Sequence, residues 1–258
     1  MEIGDFALDH FSLAGKNAIV TGGNTGLGRA FALALVKAGA NVLAPTVMED
    51  DGVTRELVEA EGVRYASMEA DLTTPGIPRA VVDACVEGLG SLDILVNSAG
   101  VCPLADVLEF GRSEWDATVA VNLTAAFEMS FEAAQRMVPQ RSGKIINVCS
   151  LFSFLGGQRS PAYAATKHGI AGLTKAYCDE LAPYNIQVNG IAPGYYATEI
   201  TAATRSDPEA SRRILEHIPA GRWGDPFDLM GTVVFLASRA SDYVNGHVLV
   251  VDGGYLVR

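Results

Sequence analysis

The stretch Asn17-Ala-Ile-Val-Thr-Gly-Gly-Asn-Thr-Gly-Leu-Gly28 and the helical pattern that follows it indicate how this chain folds. A compact apolar run passes directly into glycines at positions 22, 26 and 28 and then into Arg29 to Ala38, which predicts a strand, a tight turn and a helix. Glycine lets the backbone approach an anion closely, and the first turn of a helix presents free N–H groups to it. Glycines also serve ordinary turns, but a glycine loop that joins a strand to a helix predicts a site for a pyrophosphate.

The alternation of apolar runs and helical patterns continues along the chain. Six further strands are predicted at residues 41–44, 63–69, 93–97, 144–149, 187–192 and 247–251, with helices at 54–61, 77–89, 113–137 and 162–182. This order predicts an α/β fold with a doubly wound parallel sheet of seven strands and helices on both faces, in a single domain of residues 1–258. The alternation lapses between Pro193 and Arg222, so residues 194–222 are expected to form either a small substrate lid or a surface excursion with its own helices.

The composition limits the classes of protein to consider. Of the 258 residues, 49% are hydrophobic and 19% are charged, which is typical of one folded domain. The formal net charge of −11 argues against a nucleic-acid or anionic-membrane partner, and no apolar run is long enough to span a bilayer. The four cysteines form no Cys-x-x-Cys pair and no metal-ligand cluster with the histidines, so no metal is expected. The N-terminus, with Glu2, Asp5 and Asp9, lacks the plan of a secretory signal, and we expect a cytoplasmic protein with reduced thiols.

Tyr163 and Lys167 lie four residues apart, shortly after Pro161, a residue that favours the first turn of a helix. Positions four apart share one helix face, so the lysine ammonium would lie beside the tyrosine hydroxyl and favour the phenolate. At a separation of about 5 Å and an effective dielectric constant of about 20, the attraction is roughly 3 kcal/mol, which lowers the pKa of a phenol by about 2 units. Such pairs are also common by chance on exposed helices, so further motifs are needed to establish a proton-transfer site.

Several motifs in one order make the chain resemble the classical short-chain dehydrogenase/reductase family over essentially its whole length. They are Thr-Gly-Gly-Asn-Thr-Gly-Leu-Gly at 21–28, Asn-Ser-Ala-Gly at 97–100, Asn122, Ser150, Tyr-Ala-Ala-Thr-Lys at 163–167 and Pro-Gly at 193–194. Ser150 precedes Tyr163 by 13 residues, as the family pattern requires. The family usually has a second asparagine at position 98, and the small polar Ser98 is expected to preserve that turn.

The resemblance implies a Rossmann-type fold and hydride transfer between a nicotinamide nucleotide and a secondary alcohol or ketone. Tyr163 would exchange the substrate proton and Ser150 would bind the substrate oxygen. Lys167 would bind a ribose and lower the pKa of Tyr163, and Asn122 would support a water path to Lys167. Asp71 would meet the adenine amino group, and Asn97 with Gly100 would line the adenosine ribose. The full set implied for the nucleotide is Gly22, Asn24, Gly26, Leu27, Gly28, Thr46, Asp71, Leu72, Asn97, Ala99, Gly100, Tyr163, Lys167, Pro193, Gly194 and Thr198.

The end of the second predicted strand bears on the choice of nucleotide. A carboxylate there binds the ribose 2′-hydroxyl of NAD, and a basic side chain accommodates the 2′-phosphate of NADP. This chain has Thr46 at that position, no basic residue at 23–25 of the glycine loop, and the acidic residues Glu49, Asp50 and Asp51 nearby. The absence of a basic residue that could bind a 2′-phosphate favours NAD, with NADP as the alternative.

Two longer segments bear on the substrate. Ile218-Pro-Ala-Gly-Arg-Trp-Gly224 and Ser241-Asp-Tyr-Val-Asn-Gly246 are similar to the 2-dehydro-3-deoxy-D-gluconate 5-dehydrogenases, also described as 2-deoxy-D-gluconate 3-dehydrogenases. This likeness implies a keto-deoxy sugar acid as substrate. It also implies a homotetramer with contacts through the helices around 104–137 and 162–182 and through the C-terminal strand region.

Other functions stay open at this point. The segment Val101-Cys102-Pro103-Leu104 is apolar where that subfamily is expected to be basic, which leaves a 3-oxoacyl thioester, a steroid-like ketone or another small carbonyl compound as alternative substrates. A nucleotide-sensing protein without catalysis is a further alternative, although such a protein would be expected to have lost Tyr163 or Lys167.

Four residues are candidates for contacts with the substrate. Arg159, four residues before Tyr163, could bind a substrate carboxylate because arginine presents a planar fork of donors; a solvent-exposed or subunit-contact role is equally open. Phe152, Tyr195 and Tyr196 could form an apolar pocket wall, although aromatic residues more often pack in a core.

Overall fold

A parallel sheet of seven strands forms the centre of the protein, as seen in a computed structural model that describes residues 5–49, 51–58 and 61–258. The strands are β1 Asn17–Val20, β2 Asn41–Thr46, β3 Tyr65–Glu69, β4 Ile94–Asn97, β5 Gly143–Val148, β6 Ile186–Pro193 and β7 Val248–Val251. They lie in the order β3-β2-β1-β4-β5-β6-β7 with parallel neighbours, which confirms the predicted fold class. Glu2, Asp50 and residues 59–60 of the predicted helix 54–61 lie outside the described residues.

Helices cover both faces of this sheet. They are α1 Gly26–Lys37, α2 Val53–Val58, α3 Ile77–Leu89, α4 Arg112–Val119, α5 Ala125–Gln140, α6 Pro161–Leu181, α7 Ala202–Ser206, α8 Pro208–His217 and α9 Met230–Ala237. On one face Leu35 of α1 and Val233 of α9 share a core with Ile146. On the other face Val82 of α3 packs with Ile145. The consecutive residues Ile145 and Ile146 therefore serve opposite cores, and burial on both faces explains why the strands are almost continuously apolar.

The strand order fixes where a ligand can bind. The chain builds outward from β1 to β3 in one direction and then restarts at β4 on the other side of β1. Connections that leave the sheet in opposite directions create a crevice at the carboxyl ends of these two strands, which is the usual ligand site of an open α/β sheet.

The segment 194–222 begins at this same edge, because it follows Pro193, the last residue of β6. It contains a 3₁₀ turn, Glu199–Thr201, and the helices α7 and α8. Arg205 of α7 donates to the Thr198 carbonyl oxygen and to the Thr201 hydroxyl, which ties α7 to the exit of β6. The segment thus has helices of its own and starts beside the crevice. In the described part of the chain, no helix has the length and apolar character that crossing a bilayer requires.

Candidate active site

The glycine loop joins the carboxyl end of β1 to the first turn of α1. Gly22 and Gly26 have φ angles of 67° and 49°, a region that glycine adopts without strain. A Cβ atom at Gly28 would lie 2.1 Å from the carbonyl oxygen of Gly22, so a larger residue cannot fit there without moving the backbone. Thr25, the N-cap residue of α1, makes no side-chain cap hydrogen bond to the helix. A backbone cradle at a helix N-terminus fits the pyrophosphate of a dinucleotide.

The turn at 97–100 is held beside this loop by Thr21. The Thr21 hydroxyl accepts hydrogen bonds from the backbone N–H groups of Ser98 and Ala99, both at 2.9 Å. A Cβ atom at Gly22 would lie 3.5 Å from the Cα atom of Ala99, so the two segments approach closely. Sequence reasoning quoted Thr21 within the glycine motif and missed this positioning role.

The side chains of Asn97 and Asn24 are directed into the protein. Asn97 Nδ2 donates to Ser130 Oγ and Asn147 Oδ1, each at 2.9 Å, and the residue is buried behind the sheet edge. Asn24 is fully buried, and its Nδ2 donates to the Met48 carbonyl oxygen at 3.2 Å. A polar network between β4, β5 and α5 thus engages the side-chain nitrogen of Asn97. That Asn97 lines the adenosine ribose stays a prediction.

The ends of β2 and β3 form the side of the crevice that the adenosine would occupy. Asp71 is exposed and accepts hydrogen bonds from the Thr73 N–H and hydroxyl groups, which lower the pKa of its carboxyl. The Thr46 hydroxyl accepts a hydrogen bond from the Met48 N–H at 3.0 Å. Leu72, also in the implied set, is buried in the core beneath Asp71 and offers the nucleotide little side-chain surface.

The residues after β6 approach the other end of the crevice. Pro193 ends that strand, and the Gly194 N–H donates to the Val251 carbonyl oxygen of β7 at 2.9 Å. A Cβ atom at Gly194 would lie 2.6 Å from the Cα atom of Asp252, so glycine is required by packing as well as by any ligand. Thr198 begins the 3₁₀ turn of the following segment.

Ser150, Tyr163 and Lys167 come together at the carboxyl end of β5. Ser150 lies two residues after Val148, the last residue of β5, and its side chain acts on Tyr163 so as to lower the pKa of the phenol. Lys167 Nζ lies 5.4 Å from the centre of the Tyr163 ring, as expected for positions four apart on α6. Phe152 packs edge to face against the same ring, with the ring centres 5.9 Å apart. The structure therefore places a hydroxyl, a phenol and an ammonium in one cluster.

Burial dominates the acid–base properties of this cluster. Burial raises the pKa of Tyr163 above its usual range, and the hydrogen bond with Ser150 acts in the opposite direction. Burial also lowers the pKa of Lys167 to about 8. The Lys167 ammonium donates to the Val148 carbonyl oxygen at 2.6 Å. The expected lowering of the Tyr163 pKa by Lys167 is not found, because desolvation disfavours both charged forms and the ammonium is bound by the backbone.

Asn122 lies in a π-helical turn, Ala120–Thr124, which interrupts the predicted helix 113–137. Its Oδ1 accepts from the Val101 N–H at 2.8 Å, and its Nδ2 donates to the Val101 carbonyl oxygen at 2.9 Å. A Cβ atom at Gly100 would lie 3.3 Å from Asn122 Oδ1 and 3.9 Å from Lys167 Nζ. π-turns of this kind often occur at functional sites. The Asn122 side chain thus fixes the segment after the 97–100 turn against the catalytic cluster.

The two tyrosines predicted as substrate contacts differ in environment. Tyr196 is a core residue, 5% exposed, and its hydroxyl donates to the Val251 carbonyl oxygen at 3.0 Å. The prediction of Tyr196 as a pocket wall is therefore wrong, because its side chain points beneath the sheet edge into the α1 and α9 core. Tyr195 instead packs edge to face on Trp223, at 5.7 Å between ring centres, and lies 5.2 Å from Tyr255.

Arg159 is on the rim of the site and already has a partner. Its Nε lies 2.9 Å from Asp106 Oδ1, and both side chains are more than half exposed. Its carbonyl oxygen accepts from the Ala105 N–H at 2.9 Å, and its φ angle is 63°, which is uncommon for a residue with a Cβ atom. A substrate carboxylate would have to replace Asp106 at this guanidinium.

Comparison with known proteins agrees with this geometry. A family model described as enoyl-(acyl carrier protein) reductase matches residues 22–256. The chain is 66% identical over 253 residues to the uncharacterized Escherichia coli oxidoreductase YgcW, covering 98% of this chain and 97% of that protein. It is 49% identical over 253 residues to the E. coli 2-dehydro-3-deoxy-D-gluconate 5-dehydrogenase, covering 97% of this chain and 99% of that protein. The chain belongs to the short-chain dehydrogenase/reductase family.

Solved structures of this family support the same assignment. A gluconate 5-dehydrogenase from Burkholderia cenocepacia, in complex with NADP and tartrate, matches with a TM-score of 0.92 and 38% identity, covering 98% of this chain and 100% of that chain. As a member of the short-chain dehydrogenase/reductase family, the protein is an oxidoreductase that uses a nicotinamide nucleotide, which confirms the prediction from its motifs.

Proposed function

We propose that this short-chain dehydrogenase/reductase interconverts a secondary alcohol and a ketone in a keto-deoxy sugar acid. The observation that carries the reaction type is the meeting of Ser150, Tyr163 and Lys167 at the carboxyl ends of the strands. The names of the relatives support the substrate class, since one acts on 2-dehydro-3-deoxy-D-gluconate and another is a gluconate 5-dehydrogenase.

The residues around the crevice would hold the nucleotide along its length. The glycine loop would bind the pyrophosphate, Asp71 with the Leu72 backbone would bind the adenine, and Ala99 with Gly100 would line the adenosine ribose. Lys167 would bind the second ribose, and Pro193, Gly194 and Thr198 would border the nicotinamide. When bound, the nucleotide supplies the acceptor or donor of the hydride.

The protein's own groups would move the proton and stabilise charge. In the reductive direction the Tyr163 hydroxyl donates its proton to the substrate oxygen, while the Ser150 hydroxyl binds that oxygen as charge develops on it. A phenol with a raised pKa stays protonated at neutral pH and is suited to this donation. In the oxidative direction Tyr163 accepts the alcohol proton. A Lys167 pKa of about 8 leaves most of its ammonium charged at pH 7, where it would be able to bind the nucleotide ribose.

We propose NAD as the preferred nucleotide. Arg29, the cation nearest in sequence to the glycine loop, is paired with Asp51 at 2.5 Å and also donates to the Thr54 hydroxyl. Thr46 has its hydroxyl engaged by Met48. A 2′-phosphate would therefore meet the Asp51 carboxylate, and Arg29 is already paired with that carboxylate, whereas a 2′-hydroxyl carries no charge.

The decisive experiment is a substrate panel with both nucleotides. Keto-deoxy sugar acids, gluconate, 3-oxoacyl thioesters and hydrophobic ketones are assayed with NAD(H) and NADP(H), and we expect the highest kcat/KM for a sugar acid with NAD(H). Best turnover of a hydrophobic ketone or a thioester would replace the proposed substrate class. Binding of a nucleotide without turnover of any panel member would favour a sensing protein.

Tyr163→Phe tests the chemistry independently of the substrate class. This variant should bind the nucleotide as the wild type does, measured by fluorescence titration, and should lose turnover by several orders of magnitude because the proton donor is gone. Tyr243→Phe removes the same hydroxyl from a fully exposed tyrosine and is the matched control. Near-normal turnover by Tyr163→Phe would refute the assignment.

We propose one domain in which residues 194–222 close over the substrate, because this segment leaves the sheet beside the crevice. We also propose a cytoplasmic homotetramer. The four free cysteines suit a reducing compartment, and exposed aromatic residues on α5 suit a subunit contact.

A further inference from the structure

Helix α8, within the segment 194–222, is short and lies on the surface of the protein. It has ten residues, Pro208–His217, and none of them is buried. A helix of this length is only marginally stable by itself in water, so its position depends on contacts with the rest of the protein. Asp207 caps its first turn by accepting from the Glu209 and Ala210 N–H groups. The other end of α8 has to be held by groups from outside the helix.

Residues 253–258 provide the contacts at that other end. His217, the last residue of α8, packs on the Tyr255 ring with 4.3 Å between the ring centres. Three residues further along the chain, the Ala220 N–H donates to the Gly253 carbonyl oxygen at 3.0 Å. A ring contact and a backbone hydrogen bond thus join the end of α8 to one short segment.

The fit between segment 253–258 and the residues after α8 is close. A Cβ atom at Gly253 would lie 3.0 Å from Ile218 Cγ2, and a Cβ atom at Gly254 would lie 2.9 Å from Pro219 Cγ. Both glycines have positive φ angles, 65° and 91°, which glycine adopts without strain. Asp252 Oδ1 accepts from the Gly254 N–H at 2.7 Å and so fixes the turn that presents Tyr255 to α8.

Tyr255 also contacts the start of the segment 194–222, beside the crevice. The centre of its ring lies 5.2 Å from that of Tyr195, and both residues are half-buried. Tyr195 directly follows Gly194, which would border the nicotinamide. One side chain therefore contacts both the far end of α8 and the residue next to the proposed nicotinamide site.

Trp223 extends this aromatic cluster to the other end of the segment 194–222. Its ring packs edge to face on Tyr195, with 5.7 Å between ring centres, and its Nε1 donates to Ser211 Oγ of α8 at 3.1 Å. The Gly224 N–H donates to the Tyr195 carbonyl oxygen at 2.8 Å. The aromatic cluster thus has contacts at the start, in the middle and at the end of this segment.

We propose that Tyr255 is a positioning residue that holds α8 in its closed position over the substrate. This inference rests on the proposed function, in which residues 194–222 close over the crevice. The Tyr255 ring is shared by His217 and Tyr195, so α8 cannot move away without breaking a ring contact. Aromatic pairs stabilise a contact by more than the area that they bury.

A weaker hold on α8 would lower the fraction of the protein in the closed form. A ligand that binds only the closed form then has an apparent dissociation constant raised by the inverse of that fraction. The glycine loop, which would bind the nucleotide pyrophosphate, belongs to β1 and α1 and does not depend on α8. Loss of the Tyr255 ring should therefore weaken substrate binding more than nucleotide binding.

Hydrogen exchange of the free protein tests the hold on α8 without turnover. Amide exchange of residues 208–217 is followed by mass spectrometry in the wild type, Tyr255→Ala and Tyr255→Phe. We expect exchange about tenfold faster in Tyr255→Ala, which corresponds to about 1.4 kcal/mol, and wild-type exchange in Tyr255→Phe, which keeps the ring. Phe11→Ala is the matched control, because it removes a half-buried ring that packs on Phe235 of α9 at 6.4 Å.

Trp223 fluorescence gives a second measure, which also decides the matter if Tyr255→Ala does not fold. The chain has two tryptophans, so Trp115→Phe leaves Trp223 as the only one. In this background His217→Ala removes the other ring of the stack and should raise the quenching of Trp223 by acrylamide about twofold. Unchanged quenching, or exchange as fast in Tyr255→Phe as in Tyr255→Ala, would overturn the proposal.

Steady-state kinetics with 2-dehydro-3-deoxy-D-gluconate and NAD connect α8 to the reaction. Tyr255→Ala should raise KM for the sugar acid about tenfold with little change in kcat or in the nucleotide dissociation constant, and Tyr255→Phe should restore KM. An unchanged KM in Tyr255→Ala would overturn the positioning role. If the wild type turns over no sugar acid, the proposed function is refuted, and the exchange data with KM for the best panel substrate then decide the role of Tyr255.

Discussion

Lys167 is buried beside Tyr163 with its ammonium bonded to Val148, and burial lowers its pKa from 10.5 to about 8. As the pH falls from 10.5 to 8, the unfolded chain binds a proton on this lysine before the folded protein does. The free energy of unfolding therefore decreases as the pH falls through this window. A difference of 2.5 pKa units, from 10.5 to 8, corresponds to at most about 3 kcal/mol.

Lys167→Met should remove this dependence on pH. We expect the variant's free energy of unfolding, relative to the wild type, to rise by up to about 3 kcal/mol between pH 10.5 and pH 8 and to level off below pH 8. Urea unfolding at a series of pH values measures it, with Lys175→Met, an exposed lysine on the same helix, as the control. A difference between Lys167→Met and the wild type that stays constant over this range would show that Lys167 has no lowered pKa.

Arg159 and Asp106 form an exposed ion pair, and such pairs contribute about 0–1 kcal/mol. We propose that a substrate carboxylate replaces Asp106 at the guanidinium, since the exchange has little energetic cost. Arg159→Ala should raise KM for a sugar acid about tenfold with little change in kcat, and Asp106→Asn should lower KM severalfold by removing the competitor. Steady-state kinetics with a neutral ketone as control measure both. An unchanged KM in Arg159→Ala would assign this arginine a structural role.

At the scale of elements, the strands and glycine loop could be read from the sequence because burial on both faces leaves a strong apolar pattern. The limits of β2 could not. The predicted strand ends at Ala44, yet β2 runs on through Pro45 to Thr46. Pro45 lies opposite Met68 of β3. It is tolerated in the strand because toward β1 its carbonyl oxygen accepts from the Gly22 N–H, so Pro45 needs no N–H of its own there.

The parts of the site that sequence could not supply depend on side-chain direction. Tyr195 and Tyr196 are adjacent, and only the fold turns Tyr196 into the core and leaves Tyr195 in an aromatic cluster. Ser150, Tyr163 and Lys167 could be found from the sequence because their positions are fixed by simple geometry. Tyr163 and Lys167 lie four residues apart on one helix, and Ser150 lies after the end of one strand.

The π-turn around Asn122 lets one side chain hold the segment that carries Cys102. Asn122→Ala removes two buried hydrogen bonds to Val101, and we expect a loss of about 1–3 kcal/mol in the free energy of unfolding. Turnover should fall more than nucleotide affinity, because the released segment lies beside Lys167, whereas Thr21 still holds the 97–100 turn against the glycine loop. Denaturant unfolding and nucleotide titration measure the two effects. Gln135→Ala, which removes an exposed amide on α5, is the control, and equal losses of turnover and affinity would contradict this positioning role.

At the scale of the molecule, a parallel sheet explains how residues far apart in sequence meet. Thr21 follows β1, the 97–100 turn follows β4, Ser150 follows β5 and Gly194 follows β6, so each lies at the same edge of the sheet. Helix α6 adds Tyr163 and Lys167 from above that edge. The candidate catalytic residues thus all come from one chain, and the proposed assembly of chains would add a subunit contact elsewhere on the molecule.

The outer face of α5 is where we expect such an assembly to form. Phe127 and Phe131 lie four residues apart and stack at 6.4 Å between ring centres, yet they are 45% and 50% exposed. Exposed apolar pairs of this kind on a helix face mark protein contacts. Phe131→Glu should lower the molar mass measured by light scattering from that of a tetramer to that of a dimer or monomer, because a buried unpaired carboxylate opposes association. Leu57→Glu, at an equally exposed position on α2, should leave the mass unchanged. A Phe131→Glu protein that binds nucleotide normally and keeps the wild-type mass would place the subunit contact on another face.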